Sequence, residues 1–231
     1  MKDQPAGRKP LDFSIGHAPE KGFQGARSAD GLTEYHYNKT ILAPAIKQAF
    51  EPSPFAPRFW DAGEHKEWRR RKKGNLLLLD RLISIFKGPT GPPGIAIALH
   101  CNAAKNRRYG GFMAIYRREK DGREDKKSRR LAELLCDELG RGLPIKNRGA
   151  QPDQDAPGFK DSWVGRNLAF PRWAFRYGTA GVILEAGFLT CPKDVETLRS
   201  ELGPLAIGQA IRRAVEAFEK EQAKPKEGAK E

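Results

Sequence analysis

The chain has 231 residues, 39% of them hydrophobic and 31% charged, enough for one large domain with its own core. No apolar run approaches the length of a membrane span, and the first ten residues lack the apolar centre of a secretory leader. Three cysteines (Cys101, Cys136, Cys191) without Cys-x-x-Cys spacing argue against a disulfide framework, and a net charge of +13 points to a polyanionic partner, either nucleic acid or a cell envelope.

Residues 1–10 read as a disordered arm. Leu11–Ile15 is a predicted strand ending on Gly16-His17, and His17–Gly31 is a loop. Thr33 is placed to cap a helix from about Glu34 to Phe50, with Tyr37, Ile41, Leu42 and Ile46 near one face. Pro44 lies inside that pattern and predicts a kink or an early stop. Residues 51–60 read as an extended connector, and Arg69–Lys73 as a basic run, ordinarily a solvated face. Leu76, Leu79, Leu82, Ile83 and Phe86 predict a helix over Asn75–Lys87, stopped by the Gly- and Pro-rich stretch 88–94.

The stretch Gly94–Ala103 then reads as a buried strand whose apolar run ends on His100, delivering one imidazole at its carboxyl end. A strand over Gly111–Tyr116 follows, then a charged turn over Arg117–Arg130 and a helix to about Leu139. Residues 141–178 read as irregular, with Trp163, Phe170, Trp173 and Phe175 scattered through them. A second buried strand runs from Ala180 and delivers Glu185, and helices follow over Pro192–Glu201 and Pro204 to about Glu221. Strands alternating with helices predict a single α/β domain over residues 11–219: a mostly parallel twisted sheet with helices on both faces. Residues 220–231 read as a charged, disordered tail.

His17, His100 and Glu185 stand at predicted strand ends, where ligands gather in open α/β sheets. Glu34 opens the first helix, and the intervening loop brings it back towards His17. Such a set can build a metal-dependent hydrolase, which needs three protein ligands and an open position, with a further carboxylate for proton transfer. Each residue also has a plainer explanation. His17 suits a loop, Glu34 suits a helix N-terminus, and Glu185 could pair with Arg148 or Arg176. Cys101 should face away from His100, because strand side chains alternate. His36 and His65 read as surface residues.

These residues resemble the zinc-dependent N-acetylmuramoyl-L-alanine amidases. That family has Gly-His after a strand, then Glu-x-x-x-Asn, Ser-Ile-His-x-Asn-Ala and Val-Leu-x-Glu-x-Gly-Phe-x-x-Asn. The chain has Gly16-His17, Glu34-Tyr-His-Tyr-Asn38, Ala98-Leu-His-Cys-Asn-Ala103 and Val182-Ile-Leu-Glu-Ala-Gly-Phe-Leu-Thr190 in that order. Asn147-Arg-Gly149 resembles the family's Arg-Gly element. The turn after His17 (Ala18-Pro-Glu-Lys-Gly-Phe) departs from the family's Gly- and Asp-containing turn, and Cys191 stands where Asn is usual.

The resemblance implies that His17, Glu34 and His100 bind one zinc ion and that Glu185 is the catalytic carboxylate. Asn102 and Arg148 would contact substrate. The reaction implied is hydrolysis of the amide between N-acetylmuramic acid and L-alanine in peptidoglycan. The expected partners are peptidoglycan and an anionic envelope surface, with no specific nucleic acid, and the chain is expected to be a monomer. It would be made in the cytoplasm and act on the wall after phage-type release, or from a chain whose leader has been removed. Two other functions fit the composition: a zinc amidohydrolase acting on small N-acyl amino acids, and a basic nucleic-acid-binding protein, in which the ordered His and Glu set would have no role.

Overall fold

The computed structural model describes residues 8–19, 22–61, 81–88, 91–119, 121–155 and 168–224. Its centre is a six-stranded sheet in the order β2-β1-β3-β6-β4-β5. The strands are β1 (Lys9–Ile15), β2 (Phe55–Trp60), β3 (Ile95–Asn102), β4 (Phe112–Tyr116), β5 (Asn147–Pro152) and β6 (Ala180–Phe188). β1, β2, β3 and β6 run parallel, while β4 lies antiparallel to β6 and β5 follows the direction of β4. The predicted single α/β domain with a mostly parallel sheet is therefore present.

The central strands are apolar on both sides because both faces are covered. On one face, Leu99, Val182 and Leu184 pack with helical residues Leu42, Ile46, Leu131, Leu135, Ile207 and Ile211. On the other, Ala96, Ala98 and Ile183 meet Leu82, Ile85 and Phe86 of the helical stretch 81–86 and Ala174 of a second helix. Of the helix predicted over Asn75–Lys87, residues 75–80 lie outside the described residues, as do His65, Trp163 and the run Arg69–Lys73. So do residues 1–7 of the predicted arm and 225–231 of the predicted tail. Lys9 already belongs to β1, and Gln222 still belongs to the last helix.

The first helical segment begins as predicted. Thr33 caps α1 (Glu34–His36), its hydroxyl accepting from the His36 N–H at 3.3 Å. The chain then runs through a π-helical stretch, Tyr37–Leu42, into α2 (Ala43–Ala49). Pro44 has no N–H to offer and its ring crowds the preceding turn. The wider π spacing, closed by the Ala43 N–H donating to Asn38 O, absorbs it without ending the helix.

Three expectations need correction. Residues 55–60 are not a connector but the edge strand β2. Pro57 is tolerated there because an edge strand leaves one side unpaired. The helix expected to follow Arg130 begins earlier, as α3 (Lys126–Gly142), because Asp125 caps it. Among so many charges that cap is inconspicuous in sequence. Residues 141–178 are not irregular throughout: they include β5 and α4 (Ala169–Arg176). Two further helices, α5 (Pro192–Arg199) and α6 (Gly203–Gln222), lie close to their predicted bounds.

Asp125 also ties α3 to the sheet. Its carboxylate accepts from the Ser128 N–H at 3.2 Å and from the Ser128 hydroxyl at 2.5 Å, and Ser128 Oγ in turn accepts from the Gly181 N–H at 2.8 Å. Asp125→Ala removes the cap and is expected to cost about 1–2 kcal/mol. That loss is read as a lowered urea midpoint at constant slope.

Candidate active site

Three segments converge at the carboxyl edge of the parallel strands. β1 delivers His17 one residue past Gly16, β3 delivers His100, and α1 begins on Glu34. His100 and Glu185 are register partners on β3 and β6, so they rise from the same face of the sheet. Neither ends its strand, as the sequence had suggested: β3 continues to Asn102 and β6 to Phe188, with a register irregularity between His100 and Asn102. Such irregularities re-aim side chains beside functional sites.

Glu34 is the hub. Its Oε2 lies 3.0 Å from His17 Nε2 and its Oε1 lies 2.9 Å from His100 Nδ1. The same two oxygens accept from the backbone N–H groups of Ala26 at 2.8 Å and Cys101 at 2.9 Å. Burial pushes the Glu34 carboxyl up, but bonds and charge from His100 and His17 outweigh it and bring it down to about 2. Burial lowers the His100 pKa. Glu34 is 3% exposed at its side chain, whereas His17 and His100 keep 35% and 26% exposure. The cluster is therefore anchored from inside and open to solvent through its imidazoles.

Gly25 and Gly16 leave the room this cluster occupies. A Cβ at Gly25 would stand 2.3 Å from Glu34 Oε2 and 2.5 Å from His17 Cδ2, at a φ of +76° that already favours glycine. One at Gly16 would meet His100 Cε1 at 2.6 Å.

His17 itself adopts φ 65°, the left-handed region that a non-glycine residue enters at a cost. Arg81 holds that bend: from the helical stretch 81–86, its guanidinium donates to the carbonyls of Ile15 and of His17, the latter at 3.1 Å. Arg81 is buried, and burial lowers its pKa to about 10. Sequence analysis missed it, because an Arg on a leucine-rich helix gives no sign that it will turn inward. Asn38 was legible only as part of a motif. Fully buried, it donates from Nδ2 to Leu99 O at 3.0 Å and ties the π-helical stretch to β3.

Glu185 differs from Glu34 in every respect except burial. It is 3% exposed, and its Oε2 has no hydrogen-bond partner among the described residues. Burial, and secondarily the charge of Glu34, push its carboxyl well above the usual range. The alternative of an Arg partner fails. Arg176 is exposed, and Arg148 donates from Nε to Gly110 O at 2.7 Å while its guanidinium stacks 3.5 Å over the Tyr109 ring.

Asn102 Oδ1 accepts from the Ala103 N–H at 2.7 Å, and its Nδ2 has no partner among the described residues. Cys101 points into the core beneath the opposite face, as strand alternation predicted, and all three cysteines are free. His36 is exposed. Trp173 packs against Phe86 and Tyr177.

The fold and this edge define a class: an α/β domain with a two-histidine, one-carboxylate cluster beside a second buried carboxyl whose Oε2 has no partner among the described residues. Residues 14–217 match the N-acetylmuramoyl-L-alanine amidase family. The chain belongs to that family, and its reaction is hydrolysis of the amide joining N-acetylmuramic acid to L-alanine in peptidoglycan.

Solved structures agree in fold. The CwlD amidase from Clostridioides difficile, solved in complex with the GerS lipoprotein, matches at TM-score 0.71 and 21% identity over 92% of this chain and 99% of that one. The catalytic domain of an endolysin targeting Clostridia difficile matches at TM-score 0.67 and 22% identity over 91% and 98%. The N-acetylmuramoyl-L-alanine amidase AmiC2 of Nostoc punctiforme matches at 0.63 and 15% over 94% and 99%. No curated protein matches the chain in sequence.

Arg81→Ala strands two backbone carbonyls and is expected to cost about 2–3 kcal/mol. The measurement is the thermal midpoint of the metal-free protein, and Arg81→Lys should recover only part of the loss because one ammonium replaces a fork.

Proposed function

We propose that His17, Glu34 and His100 hold one zinc ion and that Glu185 is the proton-transfer group of the amidase reaction. The observation that carries this reading is the convergence of His17 Nε2 or Nδ1, a Glu34 oxygen and a His100 ring nitrogen within 4.8 Å of one another. Two imidazoles and a carboxylate are a donor set that suits zinc, and a three-ligand protein site leaves a position open. The room kept by Gly16 and Gly25 supports the fit. Zinc held there supplies Lewis acidity to the scissile carbonyl and to water.

The chain's own residues supply the rest. The backbone N–H groups of Ala26 and Cys101 keep donating to Glu34 when both imidazoles turn to the metal, and help to hold it ionised as a ligand. Glu185, with no competing partner, is free to take a proton from the attacking water and return it to the leaving amine of L-alanine. A carboxyl with a raised pKa in a site shared with an ionised one is the arrangement that separates acid–base work from ligation. The Asn102 Nδ2, without a partner among the described residues, would donate to substrate.

At +13 the chain concentrates at an anionic envelope, an attraction that salt screens over about 10 Å at 0.1 M. Family membership makes the small-substrate and nucleic-acid readings unnecessary. The protein acts at the cell wall, as a monomer.

Zinc content and digestion of purified peptidoglycan test the assignment together. The wild type is expected to carry one zinc per chain and to release new alanine N-termini, and His100→Ala to lose both. Wall cleavage that survives zinc removal would overturn the zinc assignment.

Glu185→Gln should lower turnover at least 10³-fold while zinc stays bound. The same change removes a buried ionisable group without a partner. Its folded pKa is raised, so Glu185 destabilises the fold increasingly as pH rises above its unfolded pKa. Glu185→Gln should therefore raise the thermal midpoint of the metal-free protein at pH 7–8, by the equivalent of about 1 kcal/mol, and the gain should shrink towards pH 4.

A further inference from the structure

The three residues assigned to zinc do not rest on equal backbones. His100 stands in β3, which lies between β1 and β6. Glu34 opens α1 behind the Thr33 cap, and its oxygens take the N–H groups of Ala26 and Cys101. His17 belongs to no strand or helix and stands at φ 65°, a conformation costly to a residue with a Cβ. A backbone that is both irregular and unfavourable keeps its place only where its surroundings over-determine it.

At this bend a side chain completes that task. The Gly16 N–H donates to Leu99 O and the Ala18 N–H to Phe23 O, each at 3.0 Å. The carbonyls of Ile15 and His17 both accept from Nη1 of Arg81, a residue 64 positions beyond His17 in the chain. Arg81 is 5% exposed, and its neighbours Leu82, Ile85 and Phe86 pack on the second face of the sheet. Burial lowers its pKa to about 10, against the charges of Asp61 and Tyr35, so it remains a cation at neutral pH. A buried guanidinium is a costly way to pack a helix on a sheet. What distinguishes it from a leucine is the pair of carbonyls it holds.

We propose that Arg81 is a positioning residue for zinc: by fixing the carbonyls of Ile15 and His17 it holds the His17 imidazole against Glu34 and His100, and so sets the affinity of the site. The proposal rests on the zinc reading of His17, Glu34 and His100. Groups that orient a metal ligand without touching the metal govern affinity in many sites. Here the orienting bonds go to the backbone of the ligand.

A purely electrostatic role for the same residue predicts the opposite sign. Burial is the main cause lowering the His100 pKa, and the charge of Arg81 adds to it, so the field of Arg81 reaches the site. A cation acting only through its field opposes a divalent ion, and its removal would tighten zinc binding. Positioning requires its removal to loosen zinc.

The test is the zinc dissociation constant, measured by competition with a chelator of known affinity, well below the thermal midpoint. Arg81→Ala is expected to weaken zinc by roughly 10–100-fold. Arg81→Lys, which keeps the charge and loses the planar fork, should fall between that variant and the wild type. Asp125→Ala is also destabilised, but its cap acts on Gly181 near the start of β6, so it should bind zinc as the wild type does. His17→Ala/Arg81→Ala tests the route. With the imidazole gone, removing Arg81 should weaken zinc by no more than about twofold beyond His17→Ala alone.

Unchanged or tighter zinc in Arg81→Ala would overturn the proposal. So would an equal loss in Asp125→Ala, or a full Arg81→Ala loss on top of His17→Ala. If Arg81→Ala does not fold, Arg81→Lys decides: weaker zinc sustains the proposal, and wild-type affinity overturns it. Failure of the zinc reading looks different, because the wild type itself would then bind no zinc.

Discussion

The site depends on one carboxylate. Glu34 receives two imidazoles and two backbone N–H groups on its two oxygens, and those donors come from the loop after β1, from β3 and from the turn before α1. Burying an ionised carboxylate without such partners would be prohibitive. With them, the buried charge holds the ends of two strands and the start of a helix in register. The left-handed His17, the absence of a side chain at Gly25 and the inward-turned Arg81 are conditions for that convergence. A buried carboxylate that organises its own surroundings explains why the cluster can be rigid while its imidazoles stay open to solvent.

The second carboxyl shows how environment alone divides labour. Glu34 and Glu185 are the same residue type at nearly the same burial, yet one is brought down to about 2 and the other pushed well up. The difference lies in donors: Glu34 has four, and Glu185 Oε2 has none. Register places Glu185 opposite His100 on the neighbouring strand, close enough for the charge of Glu34 to raise it further. The fold sets two carboxyls apart without changing the chemistry of the side chain. The cost is a destabilising buried group, of the kind retained where function requires it.

The charge of the chain is likewise not uniform in meaning. Many of the 42 Lys and Arg pair with some of the 29 Asp and Glu, as Arg129 does with Glu133 and Arg213 with Glu138, and such surface pairs contribute little to stability. Four cations without an acidic partner among the described residues, Arg108, Lys146, Arg148 and Lys193, line one pocket on the flank beyond Glu185. A net charge read from composition predicts attraction to a polyanion. Its uneven distribution locates where that attraction can act on a substrate.

Sequence alone determined the alternation of strands and helices, because a run such as Ile95–Leu99 is stable only when buried on both faces. It also marked His17, Glu34, His100 and Glu185, since polar groups interrupting apolar runs at strand ends need a reason to be there. The cap at Thr33 was local and therefore legible. Tertiary structure alone decided the rest. β2 and β5 are strands because neighbours far along the chain pair with them, and the direction of β4 is set by β6. The inward turn of Arg81 depends on carbonyls more than sixty residues away. The carboxyl pKa shifts down at Glu34 and up at Glu185 because donors from distant segments reach one and not the other. Local propensity and periodicity are properties of neighbouring residues, whereas hydrogen-bond partners, burial and electrostatic field are properties of what the folded chain brings together.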